Sequence, residues 1–216
     1  MKTDTDSILS LENLQAEIAR QWVRLRNGEI TAQGRDSNKH GKLAEIALSI
    51  ILNFVDENGE VYEQQGASCD APKHIVEKSR LPKELHHDAE VKFYHKSCRP
   101  TETRKGNLML GDVIKKCNLI QKTLVVIAVF YDKTIMDLHA IDFIKLEPTP
   151  QEIDYFERAE KIYHQVKDRT NSVEATRSIV KEFNARNKDL RFYLNNNSNS
   201  KTDGRQMQIC YAKKNA

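Results

Sequence analysis

Glu90 and Lys92 pair a carboxylate with an amine at a spacing that could support phosphodiester chemistry. They lie in a run from His87 to Tyr94 whose alternating side chains predict a β-strand. Residues i and i+2 of a strand point to one face, about 7 Å apart, so these two side chains share a face. There the carboxylate can hold a hard cation, and the lysine can position a water and stabilise charge on a phosphate. An ordinary ion pair on a strand face, with no chemistry, is the simpler alternative.

Asp70 and Glu45 are acids that could join this pair. A predicted strand near Asp70 to Val76, pairing with the strand at 87–94, would bring Asp70 close to Glu90. Glu45 interrupts an otherwise apolar helix, and is either a surface glutamate on a polar stripe or an acid aimed at a site. Asp88 is a rival of Asp70 because it shares the strand face with Glu90. Asp70 is favoured, since carboxylates from two strands converge on one cation better than neighbours in one strand.

Magnesium is the cation that such oxygen groups would hold, because it prefers oxygen ligands and keeps several of its waters. The predicted ligands are the carboxylates of Asp70 and Glu90 and the backbone carbonyl of Val91. Lys92 would then position or acidify the attacking water. The sequence therefore predicts a catalytic set of four side chains, namely Lys92, Glu90, Asp70 and Glu45.

Helices and buried strands alternate along the chain, which predicts an α/β core in one domain spanning residues 1–216. The run from Thr123 to Tyr131 is apolar on both faces, as in a central strand covered by helices on each side. A predicted helix, Gly106 to Gln121, leads directly into it. The other predicted helices are 7–26, His40 to Val55, one beginning at Thr149 and Ser172 to Ala185. The other predicted strands are Glu60 to Gln65, Ile135 to Phe143, Leu190 to Leu194 and Gln206 to Tyr211.

Cationic side chains are concentrated between residues 91 and 105, where five cations accompany one acid. They could be a solvated loop, but beside a carboxylate site they would contact phosphates of nucleic acid. The predicted phosphate contacts are Lys96, Arg99, Arg104 and Lys105. The C-terminal part, 150–216, is expected to serve DNA recognition or dimerisation. Its polar loop is either a plain surface loop or a source of base-reading side chains, with Arg205, Gln206 and Gln208 as candidates.

Composition narrows the classes of protein only modestly. The formal net charge is +3 with 30% charged residues, so a nucleic-acid footprint would have to be a local patch. The four cysteines are Cys69, Cys98, Cys117 and Cys210, and they show no paired spacing typical of a zinc site. Free thiols in a reducing cytoplasm are expected. The sequence has no apolar run long enough to predict a membrane-spanning helix.

The pattern resembles the PD-(D/E)xK nuclease superfamily, and within it the type II restriction endonucleases. The matching features are Glu45 on a buried helix, Asp70, the Glu90-Val91-Lys92 triplet, and the helix and buried strand that follow, over residues 40–131. One departure is Cys69, which precedes Asp70 where the family has proline.

The resemblance implies a central mixed β-sheet flanked by helices, two carboxylate ligands for Mg²⁺, a catalytic lysine and a homodimer that cuts both strands of double-stranded DNA. The expected function is thus sequence-specific DNA endonuclease activity. The alternatives are a structure-specific nuclease of DNA repair or recombination, and a nucleic-acid-binding protein without catalysis. Incubation of plasmid DNA with the protein and Mg²⁺ distinguishes these three functions by whether, and on which DNA, cleavage occurs.

Overall fold

A computed structural model describes residues 9–31, 36–62, 69–101, 106–108, 123–154, 157–158, 161 and 209–211. The chain divides into two compact units. The first comprises Met1–Ser97 and Leu124–Lys145, and the second comprises Cys98–Thr123 and Leu146–Ala216. The expectation of one nuclease domain over 1–216 stays a prediction.

Helix α1, Leu11–Arg26, begins where Ser10 caps it, because the Ser10 hydroxyl accepts the Asn13 N–H at 3.1 Å. It ends at Asn27, and Gly28 follows with φ +74°. Its buried face carries Leu14 and Ile18, together with polar side chains that the apolar pattern did not predict. One of them, Gln21, donates to Glu17 at 2.5 Å, which satisfies both groups inside the unit.

Helix α2, Asp36–Leu52, packs on α1 and on the first strand of the sheet. Its buried residues Leu43, Ala44, Ala47, Leu48 and Leu52 form a continuous apolar face, as the sequence predicts for an interior helix. Near its start the ring of His40 lies 5.3 Å from that of Trp22 on α1.

The first unit is built on a sheet of three strands in the order β1-β3-β4, with β1 at Asp88–His95, β3 at Leu124–Tyr131 and β4 at Leu138–Leu146. Strands β1 and β3 are parallel, and Glu90 lies opposite Val126 while Lys92 lies opposite Ala128. Every residue of β3 from Leu124 to Phe130 is buried, so the prediction of a strand covered on both faces is confirmed. This small mixed sheet with flanking helices makes the fold an α/β fold.

The segment before β1 differs from the predicted strand at Asp70 to Val76. Only Ala71 pairs with β1, through reciprocal bonds with Ala89 of 3.0 and 2.7 Å. The chain then forms the short helix α3, Lys73–Val76, because Pro72 favours a helix start and cannot donate to a strand ladder. A 3₁₀ turn at Lys83–Leu85 leads into β1. The predicted strand at 60–65 is limited to an isolated bridge of Val61 with Val55, and 63–68 lie outside the described residues.

In the second unit, β2 at Gly106–Leu108 pairs antiparallel with β5 at Ile209–Tyr211. The predicted helix from Gly106 to Gln121 is therefore wrong over its first three residues, and 109–122 lie outside the described part of the chain. The predicted helix start at Thr149 is confirmed. The Thr149 hydroxyl accepts the Glu152 N–H at 3.2 Å, and the Glu152 carboxylate accepts the Thr149 N–H at 2.8 Å. The predicted elements at 172–185 and 190–194 are not among the described residues.

Replacing Gly41 with alanine is expected to raise the free energy of unfolding by about 0.5–1 kcal/mol, because glycine is a poor helix former. A Cβ at Gly41 meets nothing within 4 Å. Gly28→Ala is the matched control, since its Cβ also meets open space but its φ of +74° strains an L-residue by about 1 kcal/mol or more. Urea denaturation of both variants measures the two effects. Equal changes in both would contradict the expectation.

Candidate active site

Asp70 is attached to the edge of β1 by a backbone hydrogen bond. Its Oδ2 accepts the N–H of Val91 at 2.7 Å, two residues beyond the bridge of Ala71 with Ala89. Because every second residue of a strand directs its N–H and C=O to the same edge, the Val91 carbonyl lies on that edge too. The carboxylate of Asp70 thus continues the pairing that the Ala71 bridge begins.

Lys92 lies between two acids. Its Nζ is 2.5 Å from Oε1 of Glu90 and 3.9 Å from Oδ2 of Asp70. The side chain of Glu90 is 3% exposed, that of Asp70 11% and that of Lys92 27%, so the pairs are shielded from water. The alternation of β1 places Glu90 and Lys92 on one face, as predicted, and the segment before α3 supplies Asp70. The three predicted groups therefore meet at one point on the sheet edge.

Glu45 approaches the same group from helix α2. Its carboxylate is half-buried and lies 3.9 Å from Nζ of Lys42, one turn earlier. It is also close enough to raise the pKa values of both Asp70 and Lys92. Glu45 thus combines the two interpretations of the sequence, because it belongs to a polar stripe and faces the site.

Burial and crowding of negative charge perturb the acid–base properties of the site. Burial, and secondarily the carboxylate of Glu90, raise the pKa of Asp70 to about 7, against the opposing effects of Lys92 and the Val91 N–H. Burial alone would lower the pKa of Lys92, but the attraction of Glu90 and Asp70 outweighs it and the pKa is raised. The lysine therefore stays charged at neutral pH, whereas Asp70 is close to the midpoint of its titration there.

The free energy of unfolding of the metal-free protein is expected to fall as the pH rises from about 4 to about 7. In this window folded Asp70 retains a proton that the unfolded chain releases, so the slope is negative and at most about 1.4 kcal/mol per pH unit. Lys92 adds no slope there, because its raised pKa contributes stability that is lost only in strongly alkaline solution. Urea titrations with chelator from pH 4.5 to 7.5 should show a shallower decline for Asp70→Asn, and parallel curves would contradict the assignment.

The oxygen groups of the site suit a hard cation. Two carboxylates and the main-chain carbonyl of Val91 are the kinds of donor that Mg²⁺ takes alongside its waters. Burial, and secondarily Glu90, raise the pKa of Asp70, and a bound divalent ion would favour its charged form. Within the described ranges, no group of three or more His, Cys, Asp or Glu side chains could hold a metal ion. The fit thus depends on two carboxylates, with the Val91 carbonyl as the third protein oxygen.

Asp88, the rival second acid, is buried and its Oδ1 accepts the Lys73 N–H at 2.7 Å. This contact satisfies a free N–H in the first turn of α3. The two aspartates are therefore engaged differently, Asp70 by Val91 and Lys92, and Asp88 by the start of α3.

The residues predicted to bind phosphate lie in different parts of the chain, and only some of them are among the described residues. Nζ of Lys96 lies 2.6 Å from Oδ2 of Asp132, and this hydrogen bond holds the pKa of Asp132 below its usual range. Arg99 lies in the second unit. The other candidates fall outside the described residues, namely Arg104, Lys105, Arg205, Gln206 and Gln208. Of the four cysteines predicted to be free thiols, Cys69 and Cys98 are free.

A cleft of about 640 Å³ opens beside the site in the first unit. Glu45, Lys92 and Val91 line it, together with residues that the sequence did not single out, namely His40, Tyr131 and Lys133. A signal for the last two existed, because they lie at the carboxyl end of the buried strand β3, and ligands of open α/β sheets bind beyond the carboxyl ends of strands. The cleft thus lies between the first part of α2, the middle of β1 and the end of β3.

The fold and site define an α/β unit with a buried lysine–carboxylate cluster at a strand edge and a cleft beside it. Comparisons of the chain with protein-family models, curated proteins and solved structures found no match. No helix in the described ranges is long and apolar enough to cross a membrane.

Proposed function

We propose that this protein is a Mg²⁺-dependent endonuclease that hydrolyses phosphodiester bonds of double-stranded DNA, with a site of the PD-(D/E)xK type. The observation that carries the proposal is the convergence of Asp70, Glu90 and Lys92 at the edge of β1. An ion pair without chemistry needs only one acid. Here a second acid, Asp70, lies buried near the same lysine, and a cluster of titratable groups with a perturbed pKa beside a cleft is typical of functional sites.

Each residue has a definite task in this proposal. Asp70, Glu90 and the Val91 carbonyl hold the metal ion. When bound, Mg²⁺ polarises a phosphoryl oxygen and lowers the pKa of a water. Lys92 remains protonated because of its acidic neighbours, so it can orient the attacking water by donating a hydrogen bond and can stabilise the negative charge of the phosphorane. Glu45 adds negative charge on the cleft side, which favours a cation at the site.

Within this class, we propose a type II restriction enzyme that acts as a homodimer in the cytoplasm and cuts both strands at a defined sequence. The support is the order of Glu45, Asp70 and the 90–92 triplet, followed by the buried strand β3. A second copy would place a second site on the opposite strand, which a two-fold symmetric recognition sequence requires. The fold would then be the restriction-endonuclease-like form of the α/β class.

Incubation of supercoiled plasmids and bacteriophage DNA with the full chain and Mg²⁺ tests the proposal. Discrete fragments that disappear with chelator support a restriction enzyme. Cleavage confined to branched or damaged substrates would replace it with a repair nuclease. Absence of Mg²⁺-dependent cleavage on all these substrates, with DNA binding retained, would overturn catalysis and leave a binding protein.

A further inference from the structure

We propose that Lys133 binds a backbone phosphate of the DNA strand that occupies the cleft and so positions the strand for cleavage. This inference rests on the function proposed above and adds a residue outside the 91–105 basic stretch. The residue lies in the turn that follows β3 and is exposed, and it lines the same cleft as Lys92 and Glu45. Its ammonium group is the second cation of the cleft lining.

Asp132 interacts with both neighbouring lysines, Lys96 and Lys133, but forms a close ion pair with Lys96. The carboxylate of Asp132 holds Lys96 at 2.6 Å, so part of the charge of Lys96 is already balanced inside the protein. Among the salt bridges of the described residues, none involves Lys133. A phosphate can therefore bind Lys133 without breaking an existing ion pair, whereas binding to Lys96 competes with Asp132.

The positions of the two cleft lysines along the sheet indicate that they serve different phosphates. Lys92 is in register with Ala128, and β3 ends at Tyr131, three residues further on. At about 3.3 Å per residue the turn begins about 10 Å along the strand from Lys92. Because Nζ of Lys92 is held at the site by Glu90 and Asp70, we assign Lys133 to the phosphate of a neighbouring nucleotide, as a positioning residue and not a catalytic one.

The dimensions and walls of the cleft suit a stretch of nucleotides better than a small ion. Its volume of about 640 Å³ is in the range of pockets that enclose organic ligands. The half-buried residues Phe93 and Tyr131 also line it. Apolar side chains beside cations can pack against the sugars of a DNA strand next to its bound phosphates.

The fluorescence of Trp22 can report binding in the cleft. It is the single tryptophan of the chain, and its ring lies 5.3 Å from that of His40, which lines the cleft. Titration of the full chain with a short DNA duplex in chelator, read by Trp22 fluorescence, measures affinity without cleavage. The titration is repeated over a range of salt concentrations for Lys133→Ala, Lys96→Ala and Lys78→Ala. Lys78 is an exposed lysine that does not line the cleft and serves as the charge-matched control.

Lys133→Ala is expected to weaken binding about three- to tenfold and to reduce the slope of log K against log salt by about 0.9, the value for one lost phosphate contact. Lys96→Ala should have a smaller effect, and Lys78→Ala should stay within about twofold. In cleavage assays with Mg²⁺, Lys133→Ala should raise KM by the same factor with kcat within about twofold, because a binding contact to a distant phosphate is lost.

The outcomes separate this inference from the proposed function. Mg²⁺-dependent cleavage by the wild type, with Lys133→Ala and Lys78→Ala equal in affinity and salt slope, would overturn the role of Lys133 and leave the nuclease proposal standing. Absence of cleavage, with binding that depends on Lys133, would overturn the nuclease proposal and support the phosphate contact. Binding insensitive to Lys133 in a protein that does not cleave would overturn both.

Discussion

Lys92→Ala is expected to lower the rate of Mg²⁺-dependent DNA cleavage by about 10³-fold while DNA binding changes by less than about threefold. The ammonium group lies within 2.5 Å of Glu90 and 3.9 Å of Asp70, and alanine removes the donor that orients the water and stabilises charge on the phosphate. Loss of one such positioned group typically lowers the rate by 10²–10³-fold, and loss of general acid–base catalysis lowers the rate further. Single-turnover cleavage of a plasmid at saturating enzyme measures the chemical step.

The stability of the same variant provides a second measurement. Removing one partner of a buried ion pair leaves Glu90, which is 3% exposed, without its cation, and such a change costs about 3–5 kcal/mol. Bound Mg²⁺ should restore part of this loss, since a divalent ion can balance the two acids. The control is Lys73→Ala, which removes an exposed i,i+4 pair with Glu77 at 3.5 Å and should change stability by less than about 0.5 kcal/mol. Full cleavage activity in folded Lys92→Ala would contradict the catalytic role.

Asp70→Asn is expected to reduce cleavage by more than about 100-fold, whereas Asp88→Asn should leave it within about threefold. Mutation of a residue that only supports a metal ligand lowers metal affinity or activity about 10- to 100-fold, so loss of a ligand itself should lower activity more. In Asp88→Asn the amide oxygen can still accept the Lys73 N–H, and the weaker bond should lower stability by about 1 kcal/mol. Titration of Mg²⁺ against cleavage rate and calorimetric Mg²⁺ binding measure the two variants side by side.

Asp70→Asn also separates a lost ligand from a damaged fold. The asparagine oxygen can accept the Val91 N–H in place of Oδ2, so the edge of β1 should stay intact. Without the buried carboxylate, metal-free stability at pH 7.5 should be at least that of the wild type, because burial and Glu90 disfavour the charged form. Cleavage lost in Asp88→Asn and retained in Asp70→Asn would assign the second ligand to Asp88.

Local sequence patterns predict a structural feature correctly when a single short segment determines that feature. Alternation in β1 placed Glu90 and Lys92 on one face, and the apolar run of β3 indicated burial on both faces. The capping residues Thr149 and Glu152 marked a helix start, because a cap is formed by residues three apart. Each of these features depends on neighbours within a few positions, so the sequence carries it directly.

The predictions that failed depend on partners distant along the chain. Gly106–Leu108 forms a strand because it pairs with Ile209–Tyr211, about a hundred residues later, and this pairing overrides a helical apolar pattern. The expected strand after Asp70 becomes helix α3, since its pairing with β1 stops at Ala71 and Pro72 turns the chain away from the ladder.

The amino-acid sequence alone thus determined the side chains of the proposed site, a lysine and several acids on predictable elements, and the α/β alternation that carries them. Only the tertiary structure shows which aspartate lies near the lysine, because the bridge of Ala71 with Ala89 brings Asp70 beside Val91 and Lys92. Only the tertiary structure likewise shows that Lys133 lines the cleft whereas Lys96 pairs with Asp132. Periodicity reports only the face of an element on which a side chain lies. The partner of that side chain depends on how segments distant in sequence pack together.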